Sequence, residues 1–428
     1  MTSRNLTPTG WCRQTGWNVG TTLGPTPTLS DAAVNPTPTP HRGLPPLVGE
    51  GSELTKEEIG RYSRHLLIPG VGASGQRRLR NARVLVIGAG GLGSPVLMYL
   101  AAAGVGTIGV VEFDTVEVSN LQRQIVHSES AVGTPKGDSA RSAIRALNSG
   151  VEVRWHDVRL SSRNAVNIFR QYDLIIDGTD NFATRYLVND AAALAGKPYV
   201  WGAIYRFEGQ VSVFWEAAPF GLGVNYRDLF PDPPAPGSVP SCAEGGVFGA
   251  LCGTVGSLMA TEAIKLVTGA GDALLGRVLI YDALTVSFRT IGIRKSTRAE
   301  AITELVDYDV LCGVTSTPVP VESEISARAL ADSLNRGEDV ALIDVRMEGE
   351  WEISRLPGAS RVPYEDFISG EALGRLPVDR PIVLYCKTGV RSAAALARLH
   401  EAGVASARHL AGGIEAWVAD VDQTLAQY

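Results

Sequence analysis

The 25 residues from Ile87 to Val111 carry no charge, and they constrain the fold more than any other stretch of the chain. An uncharged run of this length could cross a bilayer as one helix. Seven glycines (88, 90, 91, 93, 104, 106 and 109) and Pro95 interrupt it, however. In a helix interior glycine costs about 1 kcal/mol relative to alanine, and proline about 3. The same spacing suits a buried strand, a tight turn, a buried helix stopped by Gly104 and a second strand. The run is therefore read as folded core, with no membrane partner expected. The N-terminus has no apolar segment of secretory-signal length.

From Ala82 onward strands and helices alternate. RVLVIG, TIGVVEFD, VEVRWHDV, DLIIDGTD and YVWGAIY read as strands; SPVLMYLAAAG, KGDSARSAIRALN and NFATRYLVNDAAALAG read as the helices between them. That order specifies an α/β fold, a doubly wound, mostly parallel sheet with helices on both faces. GQVSVFWE and VLIYDALTVSFRTIGIR add strands, and GALCGTVGSLMATEAIKLVTG adds a long helix of small residues. Residues 53–68 read as a helix ahead of the sheet, with Leu54, Ile59, Tyr62 and Leu66 at roughly helical spacing. Residues 1–43, rich in Thr, Pro and Gly, read as a disordered tail. The main domain is assigned to 44–312, a polar linker to 313–326, and a second small α/β domain to 327–428. Its strands are VALIDVR and PIVLYC.

A formal charge of −6, from 39 basic and 45 acidic residues, argues against nucleic-acid binding by bulk charge. Five scattered cysteines make no disulfide framework, which points to a reducing cytoplasm.

Gly88-Ala-Gly90-Gly91-Leu-Gly93 lies between a strand and a helix, where glycines let the backbone approach a phosphate held at the helix N-terminus. Glu112 and Asp114 follow at the end of the next strand, where an acid would hold a ribose hydroxyl. So far a nicotinamide oxidoreductase remains open. The next segments shift the balance. Arg123 and Lys136 enter the strand-end face, where a triphosphate needs neutralising, and Asp177 and Asp180 end a strand there. A carboxylate in that position can hold magnesium bridging phosphates. Basic groups with one acid fit nucleotidyl transfer better than hydride transfer.

GAGGLGS, the SNLQRQ segment, the lysine of GTPKGDSAR and GTDNFATRYLVND, preceded by RYSRHLLIPGVGASGQRRL, together resemble the ThiF/MoeB family of ubiquitin-activating-type adenylyltransferases over about residues 53–312. The resemblance implies ATP as substrate, used to adenylate the C-terminal Gly-Gly end of a ubiquitin-fold sulfur-carrier protein. It implies nucleotide contacts from the glycine motif, Glu112, Ser119, Asn120, Leu121, Gln122, Arg123, Lys136, Asp180 and Asn181, with magnesium on Asp180. Arg64 matches the arginine that reaches into a partner subunit's site, which implies a homodimer.

Cys386-Lys-Thr-Gly-Val-Arg391-Ser392 follows the strand PIVLY and opens a helix. Backbone amides, a helix N-terminus and Arg391 there would favour a thiolate. Tyrosine phosphatases place five residues between such a Cys and Arg; here four intervene, a tighter ring suited to a terminal sulfur. With IDVR at 343–346, Glu350, PGA at 357–359 and LAGGIEAW, residues 326–428 resemble a rhodanese domain. The histidine usual before the PGA turn is replaced, with Arg355 at or beside its place. The fusion of the two domains is similar to MoeZ-type proteins, actinobacterial ones in particular. A persulfide on Cys386, supplied by a cysteine desulfurase or thiosulfate, would deliver sulfur to the carrier adenylate. Cys242, in PSCAEGGVFG, matches the family's crossover-loop cysteine, a candidate nucleophile. Cys252 and Cys312 read as core residues, and Cys12 falls in the tail.

Many members of this family hold a structural zinc with two Cys-x-x-Cys pairs. Here the first pair's place reads Asn225-Tyr-Arg-Asp228, and IRKSTRAEAITEL, in the second's region, has no cysteine. No zinc site is expected. Asn225 and Asp228 are expected to hold the loop by hydrogen bonds.

Overall fold

A computed structural model describes residues 43–234, 245–297, 301–312 and 323–428. Cys12, Cys242, most of the N-terminal tail and residues 313–322 of the linker lie outside the described residues.

Eight strands form the first sheet: β1 (Arg83–Ile87), β2 (Thr107–Val111), β3 (Glu152–His156), β4 (Leu174–Asp177), β5 (Tyr199–Tyr205), β6 (Glu208–Phe214), β7 (Arg277–Asp282) and β8 (Ser287–Gly292). Their order is β3-β2-β1-β4-β5-β6-β7-β8. The first five run parallel and the last three antiparallel. The chain works outward from β1 to β3, then returns to place β4 on the other side of β1. Two loops therefore part at the carboxyl ends of β1 and β4, the crevice where open α/β sheets bind ligands.

The uncharged run folds as its glycines require. β1 ends at Ile87, the glycine loop follows, helix Gly93–Ala103 runs back, and Gly104 ends it in the left-handed conformation (φ 79°) before β2. Helix Gly249–Thr268 is the one described helix long and apolar enough to cross a membrane. It packs on helix Gly93–Ala103 and on β5 and β6 through Leu251, Val255, Met259, Ala263 and Leu266. Its Gly256 allows that approach, since a Cβ there would lie 2.3 Å from Pro95 Cγ.

The segment expected as one helix over 53–68 is shorter. Thr55 and Glu58 form a capping box that starts it at Lys56, and it ends at Leu66. A separate helix, Gly72–Asn81, leads into β1. Cys252 and Cys312 are buried, as core residues should be.

The second sheet contains β9 (Glu324–Ile325), β10 (Ala341–Asp344), β11 (Ser360–Arg361), β12 (Ile382–Tyr385) and β13 (Arg408–Leu410). They are all parallel, in the order β11-β10-β12-β13-β9. Its buried clusters share no residue with the core of the first sheet. β12 is the central strand, and Cys386 follows it directly.

Candidate active sites

The crevice between β1 and β4 opens as a cleft of about 420 Å³. Gly88 turns the chain with φ +87°, and its N–H donates to Val111 O at 2.9 Å. A Cβ on Gly93 would lie 1.9 Å from Gly88 O, so that glycine is required for the loop to close on the helix. Glu112, buried at the end of β2, accepts the Ala89 N–H at 2.9 Å on Oε2. Its Oε1 accepts the N–H groups of Phe113 and Asp114 at 2.9 and 3.0 Å. Three amides thus hold the carboxylate beside the loop and still leave lone-pair capacity for a hydroxyl.

Lys136 opens helix Lys136–Leu147; its backbone N–H donates to Asp114 O, and its buried Nζ lies 3.2 Å from Asp114 Oδ2. Arg123 donates to Ser119 O at 3.0 Å. Asp180 lines the cleft exposed, with no hydrogen bond or ion pair to the described residues. One open carboxylate beside the glycine loop would suit magnesium, which keeps several waters and takes few protein ligands. Asp177, fully buried at the end of β4, accepts from the N–H and hydroxyl of Thr179 at 3.0 and 2.6 Å, and burial pushes its carboxyl up.

The cleft unites Gly88, Gly90, Gly91, Glu112, Arg123, Lys136, Asp180 and Asn181. Six expected residues do not line it. Gly93 serves packing. Asn120 turns its Oδ1 onto the Glu117 N–H at 3.2 Å, and the Ser119 hydroxyl donates to Glu117 at 3.2 Å, both stabilising a short 3-10 turn. Leu121 and Gln122 continue that turn, with Gln122 O against Gly249. Arg64 is exposed on helix Lys56–Leu66 and is not a residue of this chain's cleft. Asn181 has a local task as well: its Oδ1 caps helix Phe182–Ala195 by accepting the Thr184 N–H at 2.9 Å.

Several cleft residues were not legible in the sequence. Gln124 lines the cleft, 5 % exposed, with its Oε1 unpartnered among the described residues. Arg185, buried, donates to Thr179 O at 3.1 and 3.3 Å. Arg159 and Asp309 pair at 3.2 Å across the rim. His127 braces the loop from behind, with Nε2 3.0 Å from Ala89 O and Nδ1 2.9 Å from Ser139 Oγ. Gln124 is the last residue of the SNLQRQ segment, and the one sequence signal for His127 is its place three residues further on.

In the second domain Cys386 is 1 % exposed. Gly389, at φ +99°, donates its N–H to Sγ at 3.1 Å and starts helix Val390–Glu401. The carbonyls of Cys386 and Lys387 accept the N–H groups of Ile414 and Glu415 at 2.9 and 3.1 Å. In a trans peptide N–H opposes C=O, so the amides of Lys387 and Thr388 face away from helix Gly413–Asp420, into the loop. Arg391 makes a bidentate pair with Glu350, at 2.8 and 2.7 Å. Glu350 also accepts from the Met347 N–H and the Tyr428 hydroxyl. Arg355, in the region of the replaced histidine, stacks over Trp351.

At the zinc-equivalent loop, Asp228 accepts the N–H groups of Asn225 and Ser296, both at 2.8 Å. Lys295 joins Glu216 at 2.5 Å and Asp228 at 3.4 Å, and Asn225 Nδ2 donates to Glu216 at 2.6 Å.

Each of the two segments matches a known family. Residues 62–301 match the ThiF family, and residues 326–420 match the rhodanese-like domain. The chain is 61 % identical over 388 residues to the probable adenylyltransferase/sulfurtransferase MoeZ of Mycobacterium tuberculosis, covering 90 % of this chain and 99 % of that one. It is 55 % identical over 267 residues to the sulfur carrier protein adenylyltransferase of Thermus thermophilus, covering 61 % of this chain and 98 % of that one. Among solved structures, E. coli MccB with ATP shares the fold at a TM-score of 0.51 and 21 % identity, covering 58 % of this chain and 75 % of that one.

Proposed function

This chain belongs to the ThiF family and carries a rhodanese-like domain behind it, and from that premise we propose that it adenylates the C-terminal glycine of a ubiquitin-fold sulfur carrier and then passes it sulfur from a persulfide on Cys386. It is an adenylyltransferase and sulfurtransferase. The observation that carries the proposed chemistry is the convergence of Arg123, Lys136 and Asp180 on one glycine loop. Hydride transfer needs neither the two cations nor the open carboxylate.

ATP lies with its ribose on Glu112 and its phosphates against the glycine loop and the N-terminus of helix Gly93–Ala103. Arg123 and Lys136 offset the charge that grows on the pyrophosphate as the carrier carboxylate attacks the α-phosphorus. Asp180 is the residue that would hold magnesium, and the ion would supply positive charge against the phosphates. The carrier then ends in an acyl adenylate, an electrophile where a free carboxylate is not one. The outer sulfur of the Cys386 persulfide attacks its acyl carbon, AMP leaves, and reduction of the resulting acyl disulfide by a thiol frees the thiocarboxylate. The persulfide comes from a cysteine desulfurase or thiosulfate. Arg64, exposed and away from its own cleft, supports a homodimer in which it serves the partner's site. The thiol chemistry suits a reducing cytoplasm.

Two variants separate the halves. Asp180→Ala should abolish carrier-dependent exchange of pyrophosphate into ATP yet leave thiosulfate-to-cyanide transfer intact. Cys386→Ala should do the reverse, with the carrier accumulating as adenylate by mass spectrometry. Unchanged pyrophosphate exchange in Asp180→Ala removes that residue from the site. Thiocarboxylate formed at the normal rate by Cys386→Ala removes the persulfide.

A further inference from the structure

Cys386 is nearly closed off from water, so its thiol proton needs an internal acceptor before the sulfur can act as a nucleophile. The side-chain oxygen that reaches Sγ is Ser392 Oγ, at 3.6 Å. Ser392 is fully buried; its Oγ donates to Gly389 O at 3.0 Å and lies 3.5 Å from His409 Nδ1. His409 sits on β13 opposite Glu324 of β9, with its Nε2 3.6 Å from Glu324 Oε1. These contacts string together sulfur, hydroxyl, imidazole and carboxylate.

We propose that Ser392 and His409 form a proton relay that deprotonates Cys386 for sulfur uptake. The proposal rests on the reading of Cys386 as the sulfur-carrying nucleophile. Ser392 touches the reacting atom, and His409 acts through it. The Ser392 hydroxyl turns from Gly389 O and gives its proton to His409 Nδ1 as the Cys386 proton passes to Ser392 Oγ. The thiolate attacks the outer sulfur of a sulfane donor such as thiosulfate; the donor's S–S bond breaks, and sulfite leaves with the electron pair. When the persulfide sulfur is handed on, the regenerated thiolate recovers its proton along the same path.

The surroundings of His409 suit this task. Burial keeps the ring's pKa below that of an ordinary histidine, and Glu324 partly offsets this, so the neutral ring can accept a proton near neutral pH. Glu324 is the charged group that faces it. From the other elements packed on β13, β12 sets Leu384 opposite, helix Val390–Glu401 contributes Ser392, and the buried side chains of helix Gly413–Asp420 are apolar. Glu324 would then balance the imidazolium that forms.

The test is the pH dependence of thiosulfate-to-cyanide transfer by the full chain. Ser392→Ala and His409→Asn should each slow transfer about tenfold near neutral pH and shift the rising limb of the profile up by about one unit. The double variant should be no slower than either alone, because both cut one path. Ser392→Thr, which keeps the hydroxyl, should recover the normal profile. A Ser392→Ala profile that superimposes on the unmodified protein's overturns the relay, whatever its rate. The Ser392 pair decides the matter alone should His409→Asn fail to fold. Cys386→Ala is the control: transfer surviving in it refutes the underlying reading of Cys386, whereas its inactivity beside an unshifted Ser392→Ala profile refutes only the relay.

Discussion

Glu350 and Arg391 meet through two short hydrogen bonds with both side chains nearly out of water. A buried carboxylate is costly unless its lone pairs are filled, and Arg391, the Met347 N–H and Tyr428 fill them. Burial pushes the Glu350 carboxyl up, but those partners outweigh it and hold it below the usual range. A depressed carboxylate stabilises the fold above its unfolded-state pKa of about 4.3, and that stability is lost as pH falls through the folded value. Glu350→Ala should destabilise the second domain by about 3–5 kcal/mol in urea unfolding near neutral pH. The deficit should shrink as the pH is lowered below about 4.3. An unchanged deficit at acid pH would show that the loss is one of packing. The cysteine and arginine could be read from their spacing in one loop, and Glu350 came with the resemblance. That Glu350 holds the arginine could not be read, because they lie 41 residues apart on different elements.

The glycine loop is the element whose geometry was most legible, since a strand, four close glycines and a helix leave few other conformations. Yet its glycines differ in what they do. At Gly93 a methyl group would drive into Gly88 O, whereas at Gly90 the nearest side chain is Gln124 Nε2 at 3.9 Å. Gly93→Ala should therefore cost at least about 3 kcal/mol of stability or prevent folding. Gly90→Ala should change stability by less than about 1 kcal/mol while weakening ATP binding, because its methyl group projects into the cleft. Paired unfolding and nucleotide-titration experiments on the two variants check this; equal destabilisation would refute the division of roles. The SNLQRQ segment was less legible. Its motif implied five nucleotide contacts in a row, but a 3-10 turn points successive side chains in different directions, and Arg123 is the one of these five that lines the cleft.

Across the whole molecule, the loop at Asn225–Asp228, where no zinc site was expected, is held by charge and hydrogen bonds. Asp228, with a fully buried side chain, joins the Asn225 turn to the Lys295–Ser296 segment, and their polar atoms are already committed to one another. Elemental analysis should find no stoichiometric zinc, and a chelator should leave the unfolding transition and adenylation unchanged. Asp228→Ala should cost about 2–3 kcal/mol, since it strips buried N–H groups of their acceptor. About one zinc per chain would overturn this account. The sequence by itself determined the order of strands and helices, the placing of a glycine loop and a cysteine loop after parallel strands, and the presence of a second α/β segment behind the first. It could do so because apolar periodicity, glycine and proline act over a few residues. The tertiary structure decided which side chains meet: Arg159 with Asp309, Arg391 with Glu350, and Cys386 with Ser392 and His409. Those meetings depend on strand order and register, which are fixed by burial summed over the whole sheet and leave no mark in the local spacing of residues.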